Sequence, residues 1–209
     1  MIKSILLVIL LIGINLFADT WKIQNDPYYK HKVSQFKVLQ SINNIEIMML
    51  GDSITDEGLW NELLERKIQN RGISGDTTSG IIDRLSTISP SIKKAFIMIG
   101  VNDIMRGSSE EEVFSNYKKI IASLLEKNIQ VYIQSTLYIG KTRMQNFNQK
   151  IEQLNILLKD FTTKKGLIFI DLNQYLAPNK VLKNEFTDDD LHLKGKAYLI
   201  WAKAIKNYL

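Results

Sequence analysis

Ser53, Asp189 and His192 are the residues of this 209-residue chain whose types and spacing could carry a reaction. A serine hydroxyl is a weak nucleophile until a base removes its proton, and histidine, which titrates near neutrality, is the usual base. The chain holds two histidines. His31 stands among Tyr29, Lys30 and Lys32 without a partner at metal-ligand spacing, which reads as a surface histidine. His192 follows Asp189 by three residues, so the carboxylate could hold one ring nitrogen while the other faces a hydroxyl. Taken alone, Asp189-Asp190-Leu191-His192 also suits a capping role before a last helix. A metal site made of Asp188, Asp189, Asp190 and His192 is the weaker reading, because no second histidine or other ligand cluster accompanies it.

Attack on an ester carbonyl creates an oxyanion, and donors aimed at that oxygen lower the barrier. Three candidates exist: the backbone N–H of Ser53, the N–H of Gly75, where no side chain obstructs close approach, and the side-chain amide of Asn102. Singly, Gly75 is equally a turn glycine and Asn102 a loop asparagine bonding its own backbone. Their meaning depends on the elements that carry them.

The apolar run Ile45–Leu50 has the length of a buried strand and ends in the small polar group Gly51-Asp52-Ser53, after which Leu59, Trp60, Leu63 and Leu64 recur at helical spacing. Ser53 therefore falls on a strand-to-helix turn, where a serine is also a common helix cap. A second strand, Ile68–Ile73, runs into a loop of glycines and hydroxyl residues before a helix with Ile81, Ile82 and Leu85. A third, Ala95–Ile99, ends at Gly100-Val101-Asn102-Asp103. A helix over Glu110–Lys127, a strand at Gln130–Gln134, a helix from about Met144 to Lys165, a strand at Leu167–Ile170 and a last helix to Leu209 complete the alternation. Asp19–Asn44 reads as a loop and one helix packed on this body. Alternation of this kind implies an α/β fold, with right-handed crossovers and a parallel sheet covered on both faces. Ligands of such sheets bind beyond the carboxyl ends of the strands, the rim where Ser53, Gly75 and Asn102 would gather.

Composition bounds the rest. The chain is 45% hydrophobic, enough for one domain over residues 19–209. Lys3 followed by the apolar run Ile5–Phe17 and the small Ala18 reads as a signal peptide over residues 1–18, too short for a comfortable membrane span, with an uncleaved anchor as the alternative. Periplasmic or secreted localisation follows. Without cysteine there is no disulfide, thiolate nucleophile or lipid attachment at a leader cysteine. The net charge of +5 is spread along the sequence rather than striped, which argues against a nucleic-acid partner.

Four stretches in order, Gly51-Asp52-Ser53-Ile54-Thr55, Asn70-Arg71-Gly72-Ile73-Ser74-Gly75-Asp76, Gly100-Val101-Asn102-Asp103 and Asp189-Asp190-Leu191-His192, resemble the sequence blocks of the SGNH hydrolases, or GDSL-type esterases and lipases. The resemblance spans about Tyr28 to Tyr198. It implies a flavodoxin-like, three-layer αβα sandwich on a five-stranded parallel sheet, and a serine esterase needing no cofactor and no metal. It also implies Ser53 as nucleophile, His192 as general base, Asp189 as its orienting acid, and Ser53, Gly75 and Asn102 as the oxyanion hole. The Gly-Ile-Ser-Gly-Asp string and the short chain are similar to the platelet-activating-factor acetylhydrolase-like and bacterial carbohydrate O-acetylesterase branch. Ile54 stands where the family name has leucine. Tyr138 stands where many relatives carry proline, so it could line the pocket or be a plain loop tyrosine.

The expected substrate is a small-molecule or glycan ester, an acetylated sugar first, with an exported lysophospholipase or thioesterase as the alternative. A catalytically silent glycan-binding module and a flavodoxin-like nucleotide binder are the rivals from other classes. The nucleotide reading lacks the spaced lysine of a P-loop.

Overall fold

A computed structural model describes residues 21–41, 44–143 and 147–209. The leader expected over residues 1–18 lies outside them, as does Met144, the expected start of the long helix. Five strands, β1 (Ile47–Gly51), β2 (Ile68–Gly72), β3 (Lys94–Met98), β4 (Gln130–Gln134) and β5 (Ile168–Ile170), form one parallel sheet in the order β2-β1-β3-β4-β5. Met48, Met49 and Leu50 of β1 and Ala95 to Met98 of β3 are all buried, as continuous apolar strands must be when both faces are covered. The chain winds outward from β1 to β2 and then back across to β3. The strand order thus reverses beside β1, and a crevice opens beyond its carboxyl end. Gly51 is aligned with Gly72 on one side and Met98 on the other, so the loops after β1, β2 and β3 leave the sheet side by side.

The helices follow in chain order as α1 (Pro27–Leu39), α2 (Ser53–Asp56), α3 (Trp60–Leu64), α4 (Thr78–Asp83), α5 (Val101–Met105), α6 (Glu110–Glu126), α7 (Phe147–Lys165), α8 (Asn173–Leu176) and α9 (Gly195–Ile205). α4, α6 and α7 pack side by side, while α3 and α8 pack on α9, giving the layers on either side of the sheet. α6 begins where the Ser109 hydroxyl accepts the Glu112 N–H, with Glu110, Glu111 and Glu112 complementing the helix dipole. Its buried face is Val113, Tyr117, Ile120, Ile121 and Leu124, the three-and-four spacing of an amphipathic helix. In α9 the same spacing buries Tyr198, Trp201 and Ile205, and the Trp60 ring meets those of Trp201 and Tyr198 edge-on at 4.8 and 5.8 Å. Among the described residues no helix is long and apolar enough to cross a membrane.

One difference from the sequence reading matters for the site. The helical spacing of Leu59 to Leu64 suggests one helix after Ser53, but the chain forms two short ones, α2 and α3, with Leu59 exposed. Trp60 turns its indole back so that Nε1 donates to the Thr55 carbonyl at 2.8 Å, and Gly58 leaves room for that ring. The helix that begins at Ser53 is thereby closed off after a single turn.

Gly72 is required by close approach: a Cβ there would run into the backbone of Asp56 in α2. Gly72→Ala is expected to push α2 off β2 at a cost of about 2 kcal/mol, the usual penalty of overpacking. A lowered urea unfolding midpoint would register it, and an unchanged midpoint would contradict the close approach.

Candidate active site

The turn that presents Ser53 is built from its own backbone. Asp52 is the cap of α2: its Oδ1 accepts the Ile54 N–H at 3.1 Å, and its carbonyl accepts the N–H groups of Thr55 and Asp56. The Ser53 N–H takes part in none of these bonds. Carbonyls that so short a helix leaves open are met by side chains. Tyr198 donates its hydroxyl to Ile54 at 2.7 Å, Trp60 its indole N–H to Thr55, and Asn70 its amide to Asp56 at 2.9 Å. Ser53 is therefore held from α3, α9 and β2 together.

His192 Nε2 lies 3.0 Å from Ser53 Oγ, and His192 Nδ1 lies 2.8 Å from Asp189 Oδ2. With the Nδ1–H committed to the carboxylate, Nε2 offers its lone pair to the serine hydroxyl. Asp189 holds the backbone as well as the ring. Its Oδ1 accepts the N–H groups of His192 at 2.8 Å and Leu191 at 3.0 Å. Burial would raise this carboxyl, but the bonds from the His192 backbone, the imidazole and the Leu191 N–H outweigh it and hold the pKa near 2. The neighbouring carboxylates go elsewhere: Asp188 pairs with Lys194, and Asp190 accepts the backbone N–H and the hydroxyl of Thr142. The three aspartates of the metal reading are thus committed to different partners. Gly140 N–H donates to the Asp190 carbonyl at 2.7 Å, so the loop after β4 clips the histidine loop.

The two remaining oxyanion candidates flank this turn, Gly75 on the loop after β2 and Asn102 in the first turn of α5. Gly75 has a positive φ of 76°, which suits glycine. The Ser74 N–H before it bonds Asp56 and the Asp76 N–H after it bonds the Ile73 carbonyl, whereas the Gly75 N–H enters neither bond. Asn102 donates one amide hydrogen to the Asp76 carbonyl at 3.0 Å, which ties its side chain to the Gly75 loop and leaves its second hydrogen over. Asp103 strengthens the same junction by accepting both the N–H and the hydroxyl of Thr78. Tyr138 is placed differently. It is buried, its N–H donates to Asn173, and its phenol is pushed up to about 12 by burial and by the charges of Glu152 and Asp171 beside it.

Sequence reasoning missed three contributors. Glu57 Oε1 stands 3.9 Å from His192 Nε2, and Arg143 Nη2 stands 3.6 Å from Asp189 Oδ2. Neither has a sequence signal beyond its charge. The third is a cavity of about 530 Å³ lined by Trp21, Tyr28, Asp56, Glu57, Gly75 and Arg106 among others. A larger one of about 650 Å³, between α8 and α9, includes Tyr175, Lys183 and Lys203; Ser53, Asp189 and His192 line neither cavity, and only the first has a wall, Glu57, that reaches His192.

Residues 49–200 match the sequence model of the GDSL-like lipase/acylhydrolase family. A Streptococcus pneumonia structure, provisionally described as a platelet activating factor, is 25% identical with a TM-score of 0.80, covering 87% of this chain and 92% of that one. A mutant of an acetyl-xylooligosaccharide esterase from Geobacillus Stearmophilus shares the fold at 18% identity and a TM-score of 0.66, over 78% of this chain and 93% of that one. The N-acylneuraminate cytidylyltransferase of Streptococcus agalactiae serotype III is 29% identical over 83% of this chain. The chain spans about 40% of the length of that curated relative.

Beneath the rim, burial raises the Asp52 carboxyl to about 8 and Asp76 to about 6, the latter even though Arg84 lies 2.8 Å away. A carboxyl whose pKa is higher folded than unfolded binds its proton more tightly in the native state, so its contribution to stability declines as pH rises from about 4 to about 8. Asp52→Asn keeps the capping oxygen and removes the titration. Relative to wild type, its melting temperature is expected to climb steadily across that window. A constant difference between the two proteins would contradict a protonated Asp52.

Proposed function

The chain belongs to the GDSL-like lipase/acylhydrolase family, and from that premise we propose that it is a serine-dependent carboxylic ester hydrolase removing a short acyl group, acetyl, from a sugar or cell-wall glycan. The observation that carries the reading is the continuous hydrogen-bond chain from Asp189 through His192 to Ser53 Oγ.

In the proposed mechanism, His192 Nε2 takes the hydroxyl proton as Ser53 Oγ bonds to the carbonyl carbon. The negative charge moving onto the carbonyl oxygen is met by the N–H groups of Ser53 and Gly75 and by the spare Asn102 amide hydrogen. Asp189 stabilises the imidazolium without taking its proton. Collapse expels the alcohol, which leaves with the proton from His192, and an acyl-Ser53 ester remains. Water then repeats the sequence, with His192 as its base, and releases the acid and the free serine.

Three features support a short acyl group on a sugar over the alternative, a lysophospholipase or thioesterase. The cavity beside Gly75 sets the charged Glu57 and Arg106 beside the rings of Trp21 and Tyr28, a mixed lining in which a long alkyl chain would strip the charged groups of water without replacing their hydrogen bonds. A neighbour in fold is an acetyl-xylooligosaccharide esterase. A curated relative is named for a sugar, N-acylneuraminate. The apolar run after Lys3 supports export, so we propose that the reaction occurs in the periplasm or outside the cell.

A fluorophosphonate probe is expected to label the protein, and Ser53→Ala to abolish labelling. An unlabelled, folded wild type would reject the nucleophile. His192→Ala is expected to reduce kcat by roughly 10⁴-fold or more at unchanged melting temperature. With p-nitrophenyl esters, acetyl should be turned over faster than octanoyl; the opposite order would exclude the acetylesterase reading.

A further inference from the structure

We propose that the N-terminal arm, Trp21 to Tyr28, forms the sugar subsite of this enzyme: a pyranose ring stacks against Trp21 and Tyr28 in the cavity beside Gly75 and offers its acyl group to Ser53. The inference rests on the ester-hydrolase reading and adds what holds the alcohol half of the substrate.

The cavity lies next to the triad through two of its walls, though Ser53, Asp189 and His192 do not line it. One wall is Glu57, whose carboxylate is 3.9 Å from His192 Nε2, and another is Gly75, the proposed oxyanion donor. Trp21 is 54% exposed and Tyr28 45%, large aromatic surfaces left open to solvent on the cavity wall. Neither ring is loose. The Arg106 guanidinium stacks on Trp21 at 3.9 Å and donates to the Gly75 carbonyl at 3.0 Å. Tyr28 donates its hydroxyl to Asp56 at 2.7 Å, and Lys32 holds the same carboxylate at 2.6 Å. Between the two rings, Ile23 anchors the arm in a small core with Tyr29, Phe36 and Ile73. Exposed aromatics fixed in advance lose little freedom on binding.

The lining matches the two surfaces of a pyranose. Its C–H face suits an aromatic ring, and its hydroxyls suit the carboxylates of Asp26, Asp56 and Glu57 and the guanidinium of Arg106. The arm precedes residue 49, where the family match begins, so this platform belongs to the part of the chain that the family pattern does not specify.

The test compares two esters on the full chain, an O-acetylated xylooligosaccharide and ethyl acetate, which carries no ring. Trp21→Ala is expected to lower kcat/KM for the sugar ester about tenfold, mainly through KM, and that for ethyl acetate much less. Trp21→Phe should recover most of the loss. Equal losses on both esters, or no loss on either, would overturn the subsite. Calorimetry with unacetylated xylooligosaccharide separates this inference from the esterase reading, with binding expected to Ser53→Ala and lost in the Ser53→Ala/Trp21→Ala double variant. A protein that binds the sugar in this way but hydrolyses neither ester upholds the subsite and rejects the esterase. One that hydrolyses ethyl acetate but binds no sugar rejects the subsite.

Discussion

Everything at this site depends on one contact, the 3.0 Å approach of His192 Nε2 to Ser53 Oγ, made by residues 139 positions apart in the chain. No local preference could produce it. The end of β1 fixes the serine, and the loop leading into α9 fixes the histidine, so the two are aligned only as well as α9 is seated on the sheet. The Tyr198 hydroxyl bonds the turn that carries Ser53, and Trp60, Tyr198 and Trp201 pack together beneath it. The apolar core of this layer and the Ser53–His192 geometry are therefore the same piece of packing.

The rim is organised by buried polar groups rather than by apolar contact. Asp52, Asp76 and Asp103 are each almost wholly buried, and burial raises the carboxyl of each. Each also does local work: Asp52 caps α2, Asp76 receives Arg84 and the Thr77 N–H, and Asp103 receives Thr78. Arg84 extends the brace by donating to the carbonyls of Gly51 and Arg71, at the ends of β1 and β2. Buried groups of this kind weaken the fold where they lack a partner, as Asp52 Oδ2 does, while they fix loops that would otherwise vary. Proteins commonly accept such local conflict at functional sites.

The sequence carried the sheet plainly, because continuous apolar runs such as Ala95 to Met98 allow few alternatives and the intervening stripes are helical. The serine, aspartate and histidine were also legible: only two histidines exist, and Asp189 stands close enough to one of them to bond its ring. What stayed hidden was created by tertiary approach. The indole of Trp60 folds backward to split one expected helix into two, and Leu59 shows no sign of it. Glu57 and Arg143 reach His192 and Asp189 across loops whose paths no periodicity encodes. Trp21 and Tyr28 look like scattered aromatics until Arg106 and Asp56 fix them beside Gly75. Tyr138, read from sequence as either a pocket wall or a plain loop tyrosine, is buried with its N–H on Asn173 and its phenol near Glu152 and Asp171, surroundings that the loop sequence alone does not encode.

The central claim is that the Ser53 oxygen itself becomes acylated. The most direct measurement is acid-quenched mass spectrometry of the protein within its first turnovers on an acetyl ester, followed by peptide mapping. The account predicts a transient gain of one acetyl group on the peptide containing Ser53, accumulating further when deacylation is slowed. Product release with no acetylated intermediate at any time point, or acetylation confined to another residue, would contradict it.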